Sequence, residues 1–301
     1  MGLSDNQKRL IQAVSQNDIM AAKKCAISCI TEDSTSKNKF FCDKYKTVLE
    51  SSGTNMMELP YELKNILCME DVSNSFKEGR YYLSDRESAI FNSIARMKKV
   101  TEKLMGMSIS YLNATLLYGN SGTGKTTFGK YVAFKMGLPF CYLNFSNLID
   151  SYMGNTSKNI SKAFSYVVSN PCVFMLDEID CISIRRGSVG SSGGPGGEMA
   201  RITISLMQEF DKLTNDIVVI AATNRKDRMD EALLRRFSMV HEVEELRDQE
   251  KIAMLNKYLI DVGMDFSDEE IDELAKNNKN QSVLLNELIR SISMKIAKEI
   301  A

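Results

Sequence analysis

Short apolar runs alternate with amphipathic stretches through the middle of the chain. The apolar runs are Leu112–Leu117, Phe140–Leu143, Val173–Leu176, Ile217–Ala222 and Met239–Val243. The stretches between them have helical periodicity near residues 125–136, 156–169 and 198–213. Strands that alternate with helices along a chain form a parallel sheet with helices on both faces. The pattern therefore predicts an α/β fold built on a doubly wound, five-stranded parallel sheet.

Helical patterns flank this region on both sides. Before it they cover residues 3–14, 19–30, 39–50, 60–70 and 85–105, and after it residues 247–261, 267–277 and 281–300. Ser51–Asn55 has the composition of a linker, and Gly187–Gly197 that of a flexible loop. We therefore divide the chain into an N-terminal helical domain (residues 1–75), an α/β domain (76–245) and a C-terminal helical domain (246–301).

Composition narrows the class of protein by exclusion. The chain has 301 residues, 44% of them hydrophobic, and a net charge of −1, which disfavours a protein that coats nucleic acid. No apolar run approaches the ~20 residues of a membrane span, and the polar start at Met1–Asp5 is unlike a signal peptide. Seven cysteines without a C-x-x-C pair and a single histidine, His241, favour a reduced, cytoplasmic protein.

A phosphate-binding loop follows the first apolar run. Its residues fit G-x-x-x-x-G-K-[ST] at every fixed position: Gly119, Asn120, Ser121, Gly122, Thr123, Gly124, Lys125 and Thr126, followed by Thr127. A predicted strand precedes the loop and a predicted helix follows it, which is the context that this motif requires. Backbone N–H groups of such a loop surround phosphates, the lysine reaches the β- and γ-phosphates, and the hydroxyl of Thr126 binds Mg²⁺. The loop predicts ATP and Mg²⁺ as ligands.

Polar residues end two of the later predicted strands. Asp177 and Glu178 follow Val173–Leu176, and Asn224 follows Ile217–Ala222. In an open parallel sheet, ligands bind at the carboxyl ends of the strands. We expect Asp177 to hold the Mg²⁺ shell, Glu178 to act as general base toward water, and Asn224 to contact that water or the γ-phosphate.

Four segments together resemble the AAA family in its narrow sense, over roughly residues 112–300. They are Leu116–Gly119 leading into the loop, Asp177–Asp180 followed by Arg185 and Arg186, Ala221–Asn224, and Met229–Phe237. The adjacent Arg235, Arg236 and Phe237 are most similar to the branch that contains katanin and spastin. Several motifs in the correct order are far more specific than any one of them.

The resemblance implies a ring of identical chains, usually a hexamer, with ATP bound between neighbours. Arg235 and Arg236 would then act on the neighbour's nucleotide, where an arginine supplied in trans accelerates phosphoryl transfer by about 10³–10⁵. A solvated basic pair at a helix end is the alternative for these two residues.

The resemblance also identifies a candidate pore loop after the second predicted strand. Tyr152, Met153 and Gly154 match the family's aromatic, hydrophobic and glycine triplet, which would grip an extended polypeptide in the ring channel. An aromatic ring and a thioether bind varied side chains, and glycine lets the loop bend. Residues 187–197 would form a second pore loop. Ordinary packing at a helix–loop junction is the alternative for Tyr152 and Met153.

Three features depart from the family pattern or match nothing. The Gly-containing segment that helps to contact adenine is not evident in residues 76–111. Asn280–Val283 stands where the family has a pair of small residues at the start of the lid helix. Residues 1–75 match no named family and would either recruit a substrate or an adaptor, or serve as a scaffold.

Three functions compete on this evidence. The first is an ATP-driven ring that remodels, unfolds or translocates a polypeptide, alone or with a partner protease. The second is a DNA-associated ATPase such as a helicase loader, which the near-neutral charge disfavours. The third is a slow assembly switch, which the presence of Glu178 disfavours. The pore-loop triplet favours the first.

Overall fold

The structure is a computed structural model. It describes residues 3–15, 19–33, 35–50, 59–145, 156–182, 195–213, 217–277 and 280–300. The strands are β1 (Leu67–Glu70), β2 (Asn113–Tyr118), β3 (Phe140–Asn144), β4 (Val173–Asp177), β5 (Val218–Thr223) and β6 (Met239–Glu242). The helices up to the third strand are α1 (Asp5–Ser15), α2 (Ile19–Glu32), α3 (Lys39–Glu50), α4 (Val72–Ser75), α5 (Asp85–Gly106) and α6 (Lys125–Met136). The later helices are α7 (Thr156–Ser169), α8 (Pro195–Phe210), α9 (Glu231–Leu234), α10 (Asp248–Val262), α11 (Asp268–Asn277) and α12 (Gln281–Ile300).

The strands form one sheet in the order β1-β3-β4-β5-β2-β6. Pairing is parallel throughout except between β1 and β3, which are antiparallel. Strand β2 therefore lies between β5 and β6, although β3 follows β2 along the chain. This crossover confirms the predicted α/β fold and creates a switch point at the carboxyl end of β2, where ligands bind in such sheets.

Helices cover both faces of the sheet, as the apolar runs predict. Alternate residues of each strand point to opposite faces, so Phe174 of β4 packs with α7 and α8, whereas Met175 packs with α5 and α6. Strands that are buried on both faces are apolar at nearly every position, which explains why they read as continuous runs.

The sheet has one strand more than predicted. Residues 60–70, predicted as a helix, instead contain a short 3-10 turn, Tyr61–Leu63, and then β1. The spacing of Leu63, Ile66 and Leu67 imitates a helical stripe, but Leu67 and Met69 are buried while Cys68 is exposed, the period of a strand. The sheet therefore begins before residue 76, where we placed the start of the α/β domain.

The last three helices form a separate layer with their own core. Buried side chains of α10, α11 and α12 pack together: Leu255, Leu259, Ile271, Ala275, Leu284 and Leu288. We call this layer the lid. The ion pair of Arg80 with Asp261 joins it to the segment before α5, and that of Arg86 with Glu250 joins it to the first turn of α5.

The first three helices also pack together, with Ala13, Ala22 and Cys42 buried among them.

No helix in the described part of the chain has the length and hydropathy of a membrane-spanning segment. No disulfide joins any of the seven cysteines, all of which lie within the described residues.

Candidate active site

A cleft of about 400 Å³ opens between the carboxyl edge of the sheet, the segment before α5 and the lid. The phosphate-binding loop, here called the P-loop, and the first turn of α6 contribute six residues to its wall. They are Ser121, Gly122, Gly124, Lys125, Thr126 and Thr127. The ends of β4 and β5 contribute Asp177, Glu178 and Asn224. Polar groups that are far apart in sequence thus share one cavity.

The P-loop closes tightly against strand β6. Gly119 has φ +149°, and a Cβ there would lie 2.3 Å from the carbonyl oxygen of Val243. A larger residue would therefore force the loop away from the sheet. Asn120 and Thr123 do not line the cleft; instead the Thr123 hydroxyl donates to the Asn120 carbonyl at 3.0 Å and so holds the loop's shape.

The ammonium group of Lys125 lies at the centre of the loop. Its Nζ donates to the carbonyl oxygens of Gly119 at 2.9 Å and Asn120 at 2.8 Å, and to the Asn224 Oδ1 at 2.8 Å. Burial lowers the pKa of Lys125 from its ordinary value, although Asp177 and Asp180 act in the opposite direction. A buried cation held by neutral oxygens attracts an anion.

The hydroxyl of Thr126, in the first turn of α6, contacts the carboxylate of Asp177 at the end of β4. The Thr126 Oγ1 donates to the Asp177 Oδ2 at 2.7 Å. Glu178 follows with φ +54°, a left-handed conformation that costs a non-glycine residue roughly 1–2 kcal/mol and that occurs most often at functional sites. Its side chain is exposed on the cleft wall. This turn directs Glu178 away from the buried course of β4.

A threonine fixes the end of β5 beside Asn224. The Thr223 hydroxyl donates to the Asp180 Oδ1 at 2.7 Å and accepts from the Arg225 N–H at 2.9 Å. Thr223 is 1% exposed, so these bonds form away from water. They tie the loop after β4 to the loop after β5 and thereby set the position from which Asn224 reaches Lys125.

The residues present fit ATP bound with Mg²⁺. The N-cap of α6, Gly124, offers no side chain to the first turn, so N–H groups there remain for a phosphate. The carboxylate of Asp177 and the hydroxyl of Thr126 are the hard oxygen donors that Mg²⁺ prefers. The buried ammonium of Lys125 would supply positive charge to the phosphates.

The other wall of the cleft contains residues that the sequence did not reveal. They are Arg80, Tyr81, Tyr82, Leu246, Met254 and Leu285. The segment runs from Gly79, where a Cβ would lie 2.1 Å from the Asp261 Oδ1, so glycine permits the close approach of α10. The adjacent Tyr81 and Tyr82, two residues after Gly79, were the only signal in the sequence.

The two arginines after α9 do not reach this cleft. Arg236 forms a two-pronged ion pair with Asp211, at 2.9 and 2.7 Å, and also donates to the Ala232 carbonyl oxygen. Arg235 is exposed, and its side chain makes no ion pair within the described ranges. The structure thus distinguishes two neighbours that the sequence left equivalent: one is anchored, and the other is presented to solvent.

Neither predicted pore loop lies fully within the described residues. Tyr152, Met153 and Gly154 lie outside the described residues, as does most of the glycine-rich tract 187–197.

Fold and cleft together define a P-loop nucleotide-binding domain with a helical lid. The model of the family described as "ATPase family associated with various cellular activities (AAA)" matches residues 115–245. Residues 115–245 therefore form an AAA ATPase domain, which confirms the predicted family for this part of the chain.

Curated relatives agree with this family. The protein named "Peroxisomal ATPase PEX6" in Candida glabrata is 36% identical over 157 residues, which are 51% of this chain and 15% of that protein. Its namesake in Homo sapiens is 41% identical over 123 residues (40% and 12%), and that in Schizosaccharomyces pombe 32% over 187 residues (58% and 19%). The chain matches less than a fifth of the length of these relatives. The finer likeness to katanin and spastin stays a prediction.

Thr223 of β5 and Thr115 of β2, two buried threonines on paired strands, test whether the hydrogen bonds of the Thr223 hydroxyl stabilise the fold. We expect Thr223→Val to lower the free energy of unfolding by about 1–3 kcal/mol, because it leaves the Arg225 N–H and a carboxylate without their partner. Thr115 of β2 is equally buried, but its hydroxyl has no partner among the described residues. Thr115→Val should therefore leave stability unchanged or raise it. Urea denaturation of both variants makes the comparison, and equal losses would contradict the assignment.

Proposed function

We propose that this chain hydrolyses ATP with Mg²⁺ in the cleft and uses the energy to remodel a polypeptide. The observation that supports hydrolysis best is the meeting of two pairs, Lys125 with Asn224 and Thr126 with Asp177. Each pair joins the first turn of α6 to the end of another strand, β5 in the first pair and β4 in the second. A structural role alone would not require a buried ammonium group, a magnesium-type oxygen pair and an exposed carboxylate in one cavity.

The residues of the cleft would have different roles in binding ATP and Mg²⁺, and these roles follow from their charge. Bound ATP with Mg²⁺ would supply the phosphoanhydride bond that breaks and a cation that draws charge from the phosphates. Lys125, which the carbonyl oxygens of Gly119 and Asn120 hold in place, would neutralise phosphate oxygens. Thr126 and Asp177 would hold the cation, and Asn224 would orient the group that approaches the terminal phosphate.

Glu178 is the candidate general base. A general base must lie near the reacting group, and the exposed place of Glu178 on the cleft wall, at the left-handed turn after β4, supports this role. The tyrosine wall opposite, with Tyr81, Tyr82 and the lid residues Met254 and Leu285, offers the apolar surface that suits a nucleobase.

The hydrolysis site is completed by a second copy of the chain in this proposal. Arg235 is exposed and does not line its own cleft, whereas Arg236 anchors the same turn to Asp211. An arginine that stabilises phosphoryl transfer must reach the phosphate, so Arg235 would act on a neighbour, with Arg236 in a supporting or shared role. A closed ring, usually a hexamer in the family that the sequence resembles, provides such an arrangement.

The output that we propose is force on a polypeptide, applied through Tyr152, Met153 and Gly154. Support comes from the triplet's place after β3 and from the match of residues 115–245 to the AAA family. The N-terminal helices would recruit the substrate or an adaptor, and a partner protease is compatible with this scheme. Cysteines that form no disulfide in the described part of the chain suit the cytoplasm. No observation favours the DNA-associated alternative.

Glu178→Gln tests hydrolysis. We expect the variant to bind ATP normally but to lose turnover by about 10²–10⁴, because the amide cannot accept the proton of water. Glu242→Gln is the matched control, since Glu242 ends β6 at the same sheet edge without lining the cleft. Steady-state phosphate release and ATP binding are measured for both. Wild-type turnover in Glu178→Gln would remove this residue from the mechanism.

Tyr152→Ala tests the output. We expect basal ATP turnover to stay within about twofold of wild type while stimulation by unfolded casein is lost, because only the grip on polypeptide is removed. Tyr111→Ala, a tyrosine outside the cleft and the triplet, is the control. Casein stimulation that survives in Tyr152→Ala would exclude gripping by this residue.

A further inference from the structure

The lid contacts the P-loop through the side chain of Asn280 and through one backbone hydrogen bond beside it. Asn280 precedes α12, and its Nδ2 donates to the Ser121 carbonyl oxygen at 2.5 Å. Its Oδ1 accepts from the Ser282 N–H at 2.8 Å, which caps the first turn of α12. The same Ser282 N–H lies 3.2 Å from the Gly122 carbonyl oxygen. Both halves of the Asn280 amide are therefore engaged, one by the lid and one by the loop.

The loop is shaped to accept this contact. Gly122 has φ +77°, and a Cβ there would lie 2.2 Å from the Oδ1 of Asn280 and 2.3 Å from its Nδ2. The amide fills the space that another residue's side chain would occupy, so a larger residue would displace Asn280, and the positive φ itself favours glycine. Gln281 and Ser282 continue from Asn280 into the cleft wall. The contact thus lies at the mouth of the cleft.

We propose that Asn280 is a positioning residue that couples the lid to the phosphate-binding loop. By holding the Ser121 carbonyl, it keeps the loop in the conformation that receives phosphate, and it keeps the lid over the cleft. Nucleotide affinity then depends on a residue that does not itself need to touch the nucleotide. This inference rests on the proposed ATP site.

The alternative is that Asn280 only caps α12. Asparagine, aspartate and serine are all good N-caps, so the capping role survives replacement by either of the other two. The bond to Ser121 requires an N–H donor, which aspartate lacks and which serine is too short to place at the same point. Replacement therefore separates the two roles within one side chain.

The experiment compares Asn280→Asp and Asn280→Ser in the full chain. Binding is measured with a fluorescent ATP analogue, turnover by phosphate release, and folding by the thermal midpoint. We expect the Kd and KM to rise about 3- to 10-fold in both variants, the effect of one lost hydrogen bond. We expect kcat to stay within about twofold and the midpoint to stay near wild type, because the cap remains.

Two controls decide between the explanations. Asn256→Asp adds the same charge to an exposed position of α10 and should leave the Kd unchanged. Weakened binding in Asn280→Asp alone, with Asn280→Ser at the wild-type Kd, would show an effect of charge and overturn the proposal. Wild-type Kd in both variants would overturn it as well. Absence of ATP binding by the wild-type chain would overturn the proposed function, and this inference with it.

Discussion

In-register pairing of parallel strands sets the position of nearly every polar group in the cleft. Tyr118 at the end of β2 lies opposite Thr223 at the end of β5, and Leu176 of β4 lies opposite Ala221. The chain therefore leaves the sheet at one edge, and the residues after each strand meet there. A shift of one residue in either pairing would turn these side chains to other faces and break the bond between Lys125 and Asn224.

The same constraint explains which parts of the mechanism one chain can hold. A rigid sheet edge positions the buried ammonium, the magnesium-type oxygens and the exposed carboxylate without help from loops elsewhere. The turn after α9 belongs to a different surface, where Asp211 anchors Arg236 and leaves Arg235 exposed. The lid is hydrogen-bonded to the loop at one point only within the described residues, where the Asn280 side chain and the Ser282 N–H bond to loop carbonyl oxygens. In the function that we propose, one chain holds the binding half of the site, and assembly supplies the arginine.

The sequence was informative where chemistry depends on local order and silent where it depends on distant contact. The loop from Gly119 to Thr126 carries its own geometry, and strand ends such as Asp177 follow from runs of apolar residues. Strand β1 was missed because its spacing fits a helix and only pairing with β3 makes it a strand. The contact between Asn280 and Ser121 joins residues 159 positions apart, so no local pattern records it.

The central claim is that this cleft hydrolyses ATP and that a neighbouring chain completes it. Its most direct test is to co-assemble Lys125→Ala copies, which lack the phosphate-binding ammonium, with Arg235→Ala copies, which lack the exposed arginine. Each variant alone should be inactive, and an equal mixture should recover about a quarter of wild-type turnover, because random assembly pairs an intact loop with an intact arginine at that fraction of interfaces. Activity in Lys125→Ala alone, or a mixture no more active than its components, would contradict the account.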